Sequence, residues 1–399
     1  MVKRELYLKR IRPFYESDLI KVITGIRRCG KSILLKQIMD EMKEDHGVTD
    51  DHIIYMNLED MKYAFVKNAM DLYGYVEKLI VDEEKYYIFL DEIQMVEEFE
   101  RAINSFHATK NVSIFITGSN SRLLSGEMAT LLTGRYVSFR VMPFRFQEMC
   151  EMLEVKKEEA SEKEFMDYIT WGGMPQRFYF KTEEETKVFM TDLYDSIVLK
   201  DIFWRGQVRD VDALNRLLEY IVLNPSQTFS PTSIAKYFES VNRKVAPDTI
   251  YNYMEKIVAA MVMNKAMRYD IRGKRVLTRF DKYYLTDVGF GKIKNTGFKT
   301  EIGALIENVV YNELLVRGYE VYVGKTTKGE IDFVAIKDGK KEYYQVAYLL
   351  ATEDVIEREF GAYKDIQDNY PKYVLSMDRF DFSRDGIIHQ NMIDFLMER

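Results

Sequence analysis

The chain has 399 residues, 47% of them apolar and 30% charged, and a formal charge of −7. Such a length and composition predict folded cores in about two to four domains and exclude global disorder. The net charge argues against a protein coated in nucleic acid, though a local basic face is compatible with it.

Cys29 and Cys150 are the only cysteines. They allow no disulfide framework and predict a reducing compartment. With four histidines beside them, a zinc site is not expected. The amino terminus is charged from its third residue and has no apolar h-region, and no run reaches membrane-spanning length. The expectation is a cytoplasmic protein with no membrane partner. There is no internal repeat.

Asp18–Thr24 is an apolar run of strand length. It leads into Gly25, Ile26, Arg27, Arg28, Cys29, Gly30, Lys31 and Ser32, which match G-x-x-x-x-G-K-[ST] at every fixed position. Ile33 follows, and Leu34, Leu35, Ile38 and Met42 fall on one helical face. Strand, glycine-rich loop and helix together predict a phosphate-binding P-loop. Gly25 and Gly30 let backbone N–H groups converge on an anion at a helix N-terminus. Lys31 is expected on the β- and γ-phosphates of ATP, and Ser32 on Mg²⁺.

His52–Leu58 predicts a second strand, followed by a polar helical stretch to about Glu84. Tyr86–Leu90 is a buried parallel strand by its continuous apolar run, and it ends in Asp91-Glu92. Asp91 is expected in the Mg²⁺ shell and Glu92 as the base that polarises the attacking water. An acidic helix cap after a core strand is the plainer alternative. Val112–Thr117 is a further strand with a polar tip, where Ser119 or Asn120 could hold the water or sense the γ-phosphate. A turn with a helix N-cap accounts for the same residues. Leu132–Arg140 predicts a turn into a fifth strand. There Arg135 is either an arginine finger, in its own subunit or a neighbour's, or a surface arginine.

The order of strings resembles a known family. The Arg-Arg inside the P-loop, Leu90-Asp-Glu-Ile-Gln94, Thr117-Gly-Ser-Asn-Ser, Thr133-Gly-Arg-Tyr and Met142-Pro-Phe-Arg-Phe-Gln-Glu148 are similar to those of the prokaryotic AAA-type ATPases with a conserved C-terminal domain of unknown function. The resemblance runs over nearly the whole chain. Phe144-Arg145-Phe146 departs from the family's usual Leu-Ser-Phe.

Glu151–Glu164 is rich in Glu and Lys and predicts a solvated connector. Gly172-Gly-Met-Pro175 cannot continue a helix; it resembles the family's Gly-Gly-x-Pro and is expected to pack a helical lid against the nucleotide. Residues 183–223 predict two helices. Ser230 caps a helix starting at Pro231, and Asp248 caps Thr249–Val258. Two short helices followed by strands over 261–269 and 276–285 suggest a winged helix with a basic hairpin. Between Lys265 and Lys282 seven Lys/Arg face two Asp. Such a patch could sit on DNA phosphates, with Arg243, Asn252 and Lys256 as further contacts. A packing module or partner dock is the alternative.

Glu301–Leu315 predicts an amphipathic helix, and Tyr319–Val323, Gly329–Ala335 and Glu342–Tyr348 three strands. This order resembles the PD-(D/E)xK nuclease fold, which implies Glu307, Asp332 and Gln345 at its metal-binding positions. Ala347 stands where that fold carries its lysine. Lys325 or Lys328 could substitute, but no spacing requires it, so cleavage is doubtful and a degenerate site is expected.

The expected fold class is α/β. A parallel P-loop ATPase core (1–148) is followed by a helical lid or connector (149–225), a winged helix (226–292) and a restriction-endonuclease-like domain (293–399). The expected activity is Mg²⁺-dependent ATP binding and hydrolysis coupled to DNA-binding C-terminal domains. Alternatives are a signalling ATPase with a protein partner and an ATP-dependent nuclease. Whether the chain forms a homo-oligomer is left open.

Overall fold

The computed structural model describes residues 2–120, 132, 134–204, 206, 208–294, 301–327 and 329–398, with the backbone alone at 204 and 278–280. The chain divides into two compact units. Met1–Met142 with Ala259–Met261 form one; Pro143–Val258 with Val262–Arg399 form the other. The first divide falls six residues before the expected edge at 148.

The first unit is built on five parallel strands: β1 (Ile20–Thr24), β2 (Ile53–Asn57), β3 (Tyr86–Asp91), β4 (Val112–Gly118) and β5 (Tyr136–Arg140). Their order across the sheet is β2-β3-β4-β1-β5. β1, β3 and β4 are buried along their whole length, as unbroken apolar runs in a parallel sheet require. Because the strands are parallel, all their carboxyl ends lie on one edge. The P-loop leaves β1 there and opens helix α1 (Lys31–His46). The core on one face joins Ile20 and Val22 with Ile88, Leu90, Ile114 and Ile116.

An arginine ahead of β1 ties the loop from behind. Arg4 is buried; Nη1 donates to Cys29 O at 3.2 Å and Nη2 to Met142 O at 2.9 Å. Gly25 is required where it stands, since a Cβ there would lie 2.3 Å from Val141 O.

The second unit centres on an eight-stranded sheet in the order β13-β12-β11-β10-β9-β7-β8-β6. The strands are β6 (Gln227–Thr228), β7 (Met263–Asp270), β8 (Arg275–Leu285), β9 (Glu320–Lys325), β10 (Glu330–Lys337), β11 (Lys340–Val346), β12 (Lys372–Ser376) and β13 (Ile388–Asn391). The expected helix pair is present as α2 (Pro231–Ser240) and α3 (Pro247–Ala259), and β7 and β8 form the expected antiparallel hairpin. That hairpin is not closed off at 292. β7 pairs in parallel with β9 through Arg268–Asp270 and Val323–Lys325, so one sheet crosses the expected boundary. Gly324 sits at this junction, where a Cβ would meet Val334, Ile271 and Ile331 at 2.9–3.0 Å.

Helix α4 (Ile302–Val316) lies on the sheet. Its buried Asn308 exchanges two hydrogen bonds with the backbone of Leu285, at 2.7 and 2.8 Å, and so extends the β8 ladder with a side-chain amide. The turn at Gly172-Gly173 packs on Phe144 and Asp287. Gly173 N donates to Asp287 at 2.8 Å, and a Cβ on Gly173 would lie 2.0 Å from Phe144 O. Burial pushes the Asp287 carboxyl up to about 6, against the pull of the Gly173 and Gly289 N–H groups. Among the described residues no helix is long and apolar enough to cross a membrane.

Candidate active site

The P-loop begins at the carboxyl end of β1. Arg28 and Gly30 both take left-handed conformations, with φ of 63° and 105°, the kind of curl that lets loop N–H groups converge on an anion before α1 begins. Lys31 is 4% exposed, so its ammonium is held inside the loop rather than in solvent. Nζ donates to Gly25 O at 3.1 Å and Ile26 O at 3.4 Å, and lies 3.3 Å from Glu92 Oε1. Burial opposes its charge, but the charges of Cys29, Glu92 and Asp91 outweigh that, and its pKa is raised. Arg27 pairs with Glu59 at 3.1 Å, Cys29 is buried, Ser32 is half-buried and Ile33 is exposed.

β3 lies two strands away and delivers Asp91 and Glu92 to the same edge. Asp91 is buried between neighbours on both sides. Thr117 of β4 donates its hydroxyl to Asp91 Oδ1, and Tyr55 of β2 donates to Oδ2 at 3.3 Å. The same Thr117 oxygen accepts the Glu92 N–H at 2.9 Å. Glu92 adopts φ of 55°, an uncommon conformation for a residue with a side chain, and turns the chain sharply off the strand. Burial pushes the Glu92 carboxyl up, but Lys31 and Gln94 outweigh burial and hold it low. Gln94 donates from Nε2 to Glu92 Oε2.

Ser119 and Asn120 are buried at the carboxyl end of β4. Lys31, Asp91, Glu92, Ser119 and Asn120 therefore share one edge of the sheet. Arg135 does not join them. β5 is parallel to β1, with Tyr136 beside Ile20 and Arg140 beside Thr24. Arg135 is thus at the amino end of its strand, where it is exposed and lies 3.4 Å from Asn104 Oδ1. The basic residue that β5 brings to the P-loop edge is Arg140. A cis role for Arg135 thus fails on register: the strand's length separates it from the loop.

The donor set fits a nucleotide with its cation. A cradle of N–H groups and a buried ammonium suit phosphate oxygens, and the Ser32 hydroxyl and Asp91 carboxylate are hard oxygen donors of the type Mg²⁺ takes.

The C-terminal residues form a second cluster. Glu307 on α4 accepts from Tyr284 at 2.6 Å and lies 2.7 Å from Lys282 Nζ. Lys282 also reaches Glu330 at 3.3 Å, and Arg268 meets Glu330 at 2.9 Å. Asp332 accepts the Val346 N–H at 2.8 Å and donates its own N–H to Gln345 Oε1 at 3.2 Å. Burial pushes both Glu307 and Asp332 up, and the Lys282 charge opposes it at each. Glu307, Asp332 and Gln345 are thus brought together, and the cation comes from β8 rather than from position 347. Lys325 has no part in these pairs, and Lys328 lies outside the described residues. Among the described residues no group of three or more His, Cys, Asp or Glu is arranged to hold a metal ion.

The basic hairpin is less free than its sequence implied. Lys265 pairs with Asp281 at 3.2 Å, Arg268 with Glu330, Arg275 with Asp270 at 3.9 Å, and Lys282 with Glu307. The Arg279 side chain lies outside the description. Arg272 and Lys274 remain exposed at the turn. Arg243 is held by Asp210 at 2.7 Å and by Asp212, the Lys256 ammonium lies 5.8 Å from the Tyr253 ring, and Asn252 is exposed.

With a P-loop on a five-stranded parallel sheet, the class of the first unit is defined: residues 17–150 match the family model of an AAA domain. Residues 162–296 match that of a domain of unknown function, DUF8612. An uncharacterized protein of Haemophilus influenzae is 35% identical over 401 residues, covering 100% of this chain and 99% of its own. The chain belongs to the same family as that Haemophilus protein. An uncharacterized protein of Methanocaldococcus jannaschii, MJ1544, is 29% identical over 377 residues, 91% of this chain and 81% of its own. Among solved structures, the Aeropyrum pernix ORC1 protein in complex with DNA aligns with a TM-score of 0.34 at 12% identity, over 74% of this chain and 92% of that one. AMPPCP-bound DnaA from Aquifex aeolicus aligns with a TM-score of 0.31 at 13% identity, over 63% of this chain and 85% of that one.

Proposed function

We propose that the chain is a Mg²⁺-dependent ATPase whose nucleotide state is coupled to its C-terminal region. The observation that carries the reading is the ion pair of Lys31 with Glu92, 3.3 Å apart on the sheet edge where Asp91, Ser119 and Asn120 also end. Lys31 binds the phosphates. Ser32 and Asp91 hold the cation, which supplies charge neutralisation when bound. When phosphate draws Lys31 away, Glu92 is released to take a proton from water, and Ser119 or Asn120 reads the γ-phosphate. Arg135, exposed at the amino end of β5, is assigned no role in its own subunit; a role toward a neighbouring subunit is the one its position allows.

DNA is the proposed partner of the C-terminal region. Its support is narrower than the residue count suggested: the exposed Arg272 and Lys274 at the hairpin turn, with Asn252 on α3. At the acidic cluster, the Lys282 ammonium stands on Glu307 and Glu330 as a resident cation. We read it as a structural remnant that does not cleave.

The test is steady-state ATP hydrolysis with and without duplex and single-stranded DNA, with Lys31→Ala as the blank. Turnover that Lys31→Ala abolishes supports the ATPase, and equal turnover in that variant overturns it. Glu92→Gln is expected to bind ATP and hydrolyse it far more slowly. Stimulation by DNA supports DNA as partner; indifference moves the reading to a protein. DNA incubated with Mg²⁺ or Mn²⁺ should show no cuts that Asp332→Ala removes.

A further inference from the structure

Glu92 is held at both carboxylate oxygens. Oε1 faces Lys31 at 3.3 Å, and Oε2 accepts from Gln94 Nε2. These partners differ in what a nucleotide does to them. Lys31 lies inside the phosphate loop, so an incoming phosphate competes with Glu92 for its ammonium. Gln94 lies outside the loop, in the short 3₁₀ turn Ile93–Met95 that leaves β3.

The backbone around the pair is fixed. Glu92 N is pinned to Thr117 Oγ1 at 2.9 Å, and its left-handed φ of 55° sets the direction of the side chain. What remains adjustable is the rotation of the carboxylate, and Gln94 is the group that restrains it. The second amide atom of Gln94 adds an independent observation. Its Oε1 is buried and has no hydrogen-bond partner among the described residues. A buried amide oxygen left unsatisfied is costly, so such an atom beside a reactive carboxylate calls for an explanation.

We propose that Gln94 is a positioning residue for hydrolysis: it keeps Oε2 of Glu92 engaged, so that Oε1 is the oxygen freed when Lys31 turns to phosphate, and its own Oε1 accepts the second hydrogen of the attacking water. The inference rests on the reading of Glu92 as the base. In the step itself, one O–H bond of the water breaks and its proton goes to Glu92 Oε1. The oxygen lone pair forms the new bond to the γ-phosphorus. The bond from that phosphorus to the bridging oxygen breaks, and ADP leaves with its electron pair. Gln94 exchanges no proton; it fixes the direction from which the water approaches.

The experiment compares Gln94→Met, Gln94→Ala, Glu92→Gln and the unsubstituted full chain. Affinity is measured with a non-hydrolysable ATP analogue, and kcat and KM with ATP. Both Gln94 variants are expected to keep affinity within about twofold and to lose kcat by at least about tenfold, the share of a water-positioning contact in acid–base catalysis. Unchanged kcat in both variants, with Glu92→Gln inactive, overturns the inference and leaves the ATPase reading intact. Loss of nucleotide binding in both also overturns it, because it makes Gln94 a structural support of the loop. Normal turnover in Glu92→Gln instead removes the base assignment itself.

Discussion

Arg145 Nη1 lies 3.1 Å from Glu313 Oε1, and both side chains are almost wholly buried. At the departure noted at Phe144-Arg145-Phe146, the arginine thus faces a carboxylate on α4. Removing one member of a buried pair costs about 3–5 kcal/mol when it leaves an uncompensated charge; that applies to Arg145 if Glu313 is lost, whereas Glu313 keeps Arg317 at 2.7 Å if Arg145 is lost. Glu313→Met is expected to lower the unfolding free energy from denaturant titration by that much, and Arg145→Met by less, since Arg317 still faces Glu313. The double variant should return to within about 1–2 kcal/mol of the parent. A double variant as weak as the sum of the singles would contradict the pairing.

Thr117 makes two connections with one hydroxyl, accepting from Glu92 N and donating to Asp91. Thr117→Val keeps the shape and removes both. The orphaned N–H predicts a loss of about 1–3 kcal/mol in stability. Loosening the groups that orient a metal-binding carboxylate typically reduces activity about 10–100-fold. The expected outcome is a folded protein with strongly reduced ATP turnover, checked by calorimetry and kinetics on one preparation. Full turnover would remove Thr117 from the site.

Lys282 stands against two carboxylates, at 2.7 Å from Glu307 and 3.3 Å from Glu330. Lys282→Met leaves Glu307 buried beside Asp332 with no counter-charge, so a loss of roughly 3 kcal/mol is expected. Adding Glu307→Gln should recover most of it. No recovery in chemical denaturation would show that the lysine's stem, rather than its charge, holds the cluster.

Lys21 offers a pH test. It is buried in β1, where Nζ donates to Ser113 Oγ at 2.7 Å and Ser17 O at 3.0 Å. Burial pulls its pKa from 10.5 down to about 7. Between those values the unfolded chain binds the proton and the folded chain does not, so stability rises with pH from about 7 to 10.5; below 7 both are protonated and the full penalty applies. Lys21→Met is therefore expected to stabilise the protein by on the order of 2 kcal/mol at pH 6, after its lost hydrogen bonds, and to destabilise it by about as much near pH 10, where the neutral lysine keeps those hydrogen bonds at little protonation cost. A difference between variant and parent that does not change with pH would exclude this account.

The first unit was legible because its signals are local. Strand, loop and helix around Gly30-Lys31, and the apolar run into Asp91-Glu92, each need only neighbouring residues to be recognised. What escaped depends on neighbours across a sheet. Arg135 looked suitable by sequence, yet the parallel register of β5 puts Arg140 at the loop edge instead. The missing cation at Ala347 was sought nearby, at 325 or 328, while the structure supplies it from Lys282 on another strand. The basic count over 265–282 was correct as arithmetic, but it could not show that Glu330 and Glu307, far along the chain, lie against those charges. Arg4 belongs to no motif, and its role as a brace behind the loop appears only from its contacts with Cys29 and Met142. Gln94 sat inside a quoted string without a role, because its importance lies in which atom its amide touches.

The parallel joining of β7 to β9 bears on how this chain can be cut. Three rungs, Arg268 to Val323 through Asp270 to Lys325, cover one side of β7. A fragment ending at 292 keeps the helices and hairpin but strips that side bare. It exposes a row of unpaired N–H and C=O groups beside Tyr269, an aromatic residue buried in the whole chain. Such an edge recruits other strands, so the fragment is expected to self-associate through β7, an edge that β9 covers in the full chain. Dissection at the module boundary the sequence suggests therefore cuts through a single sheet.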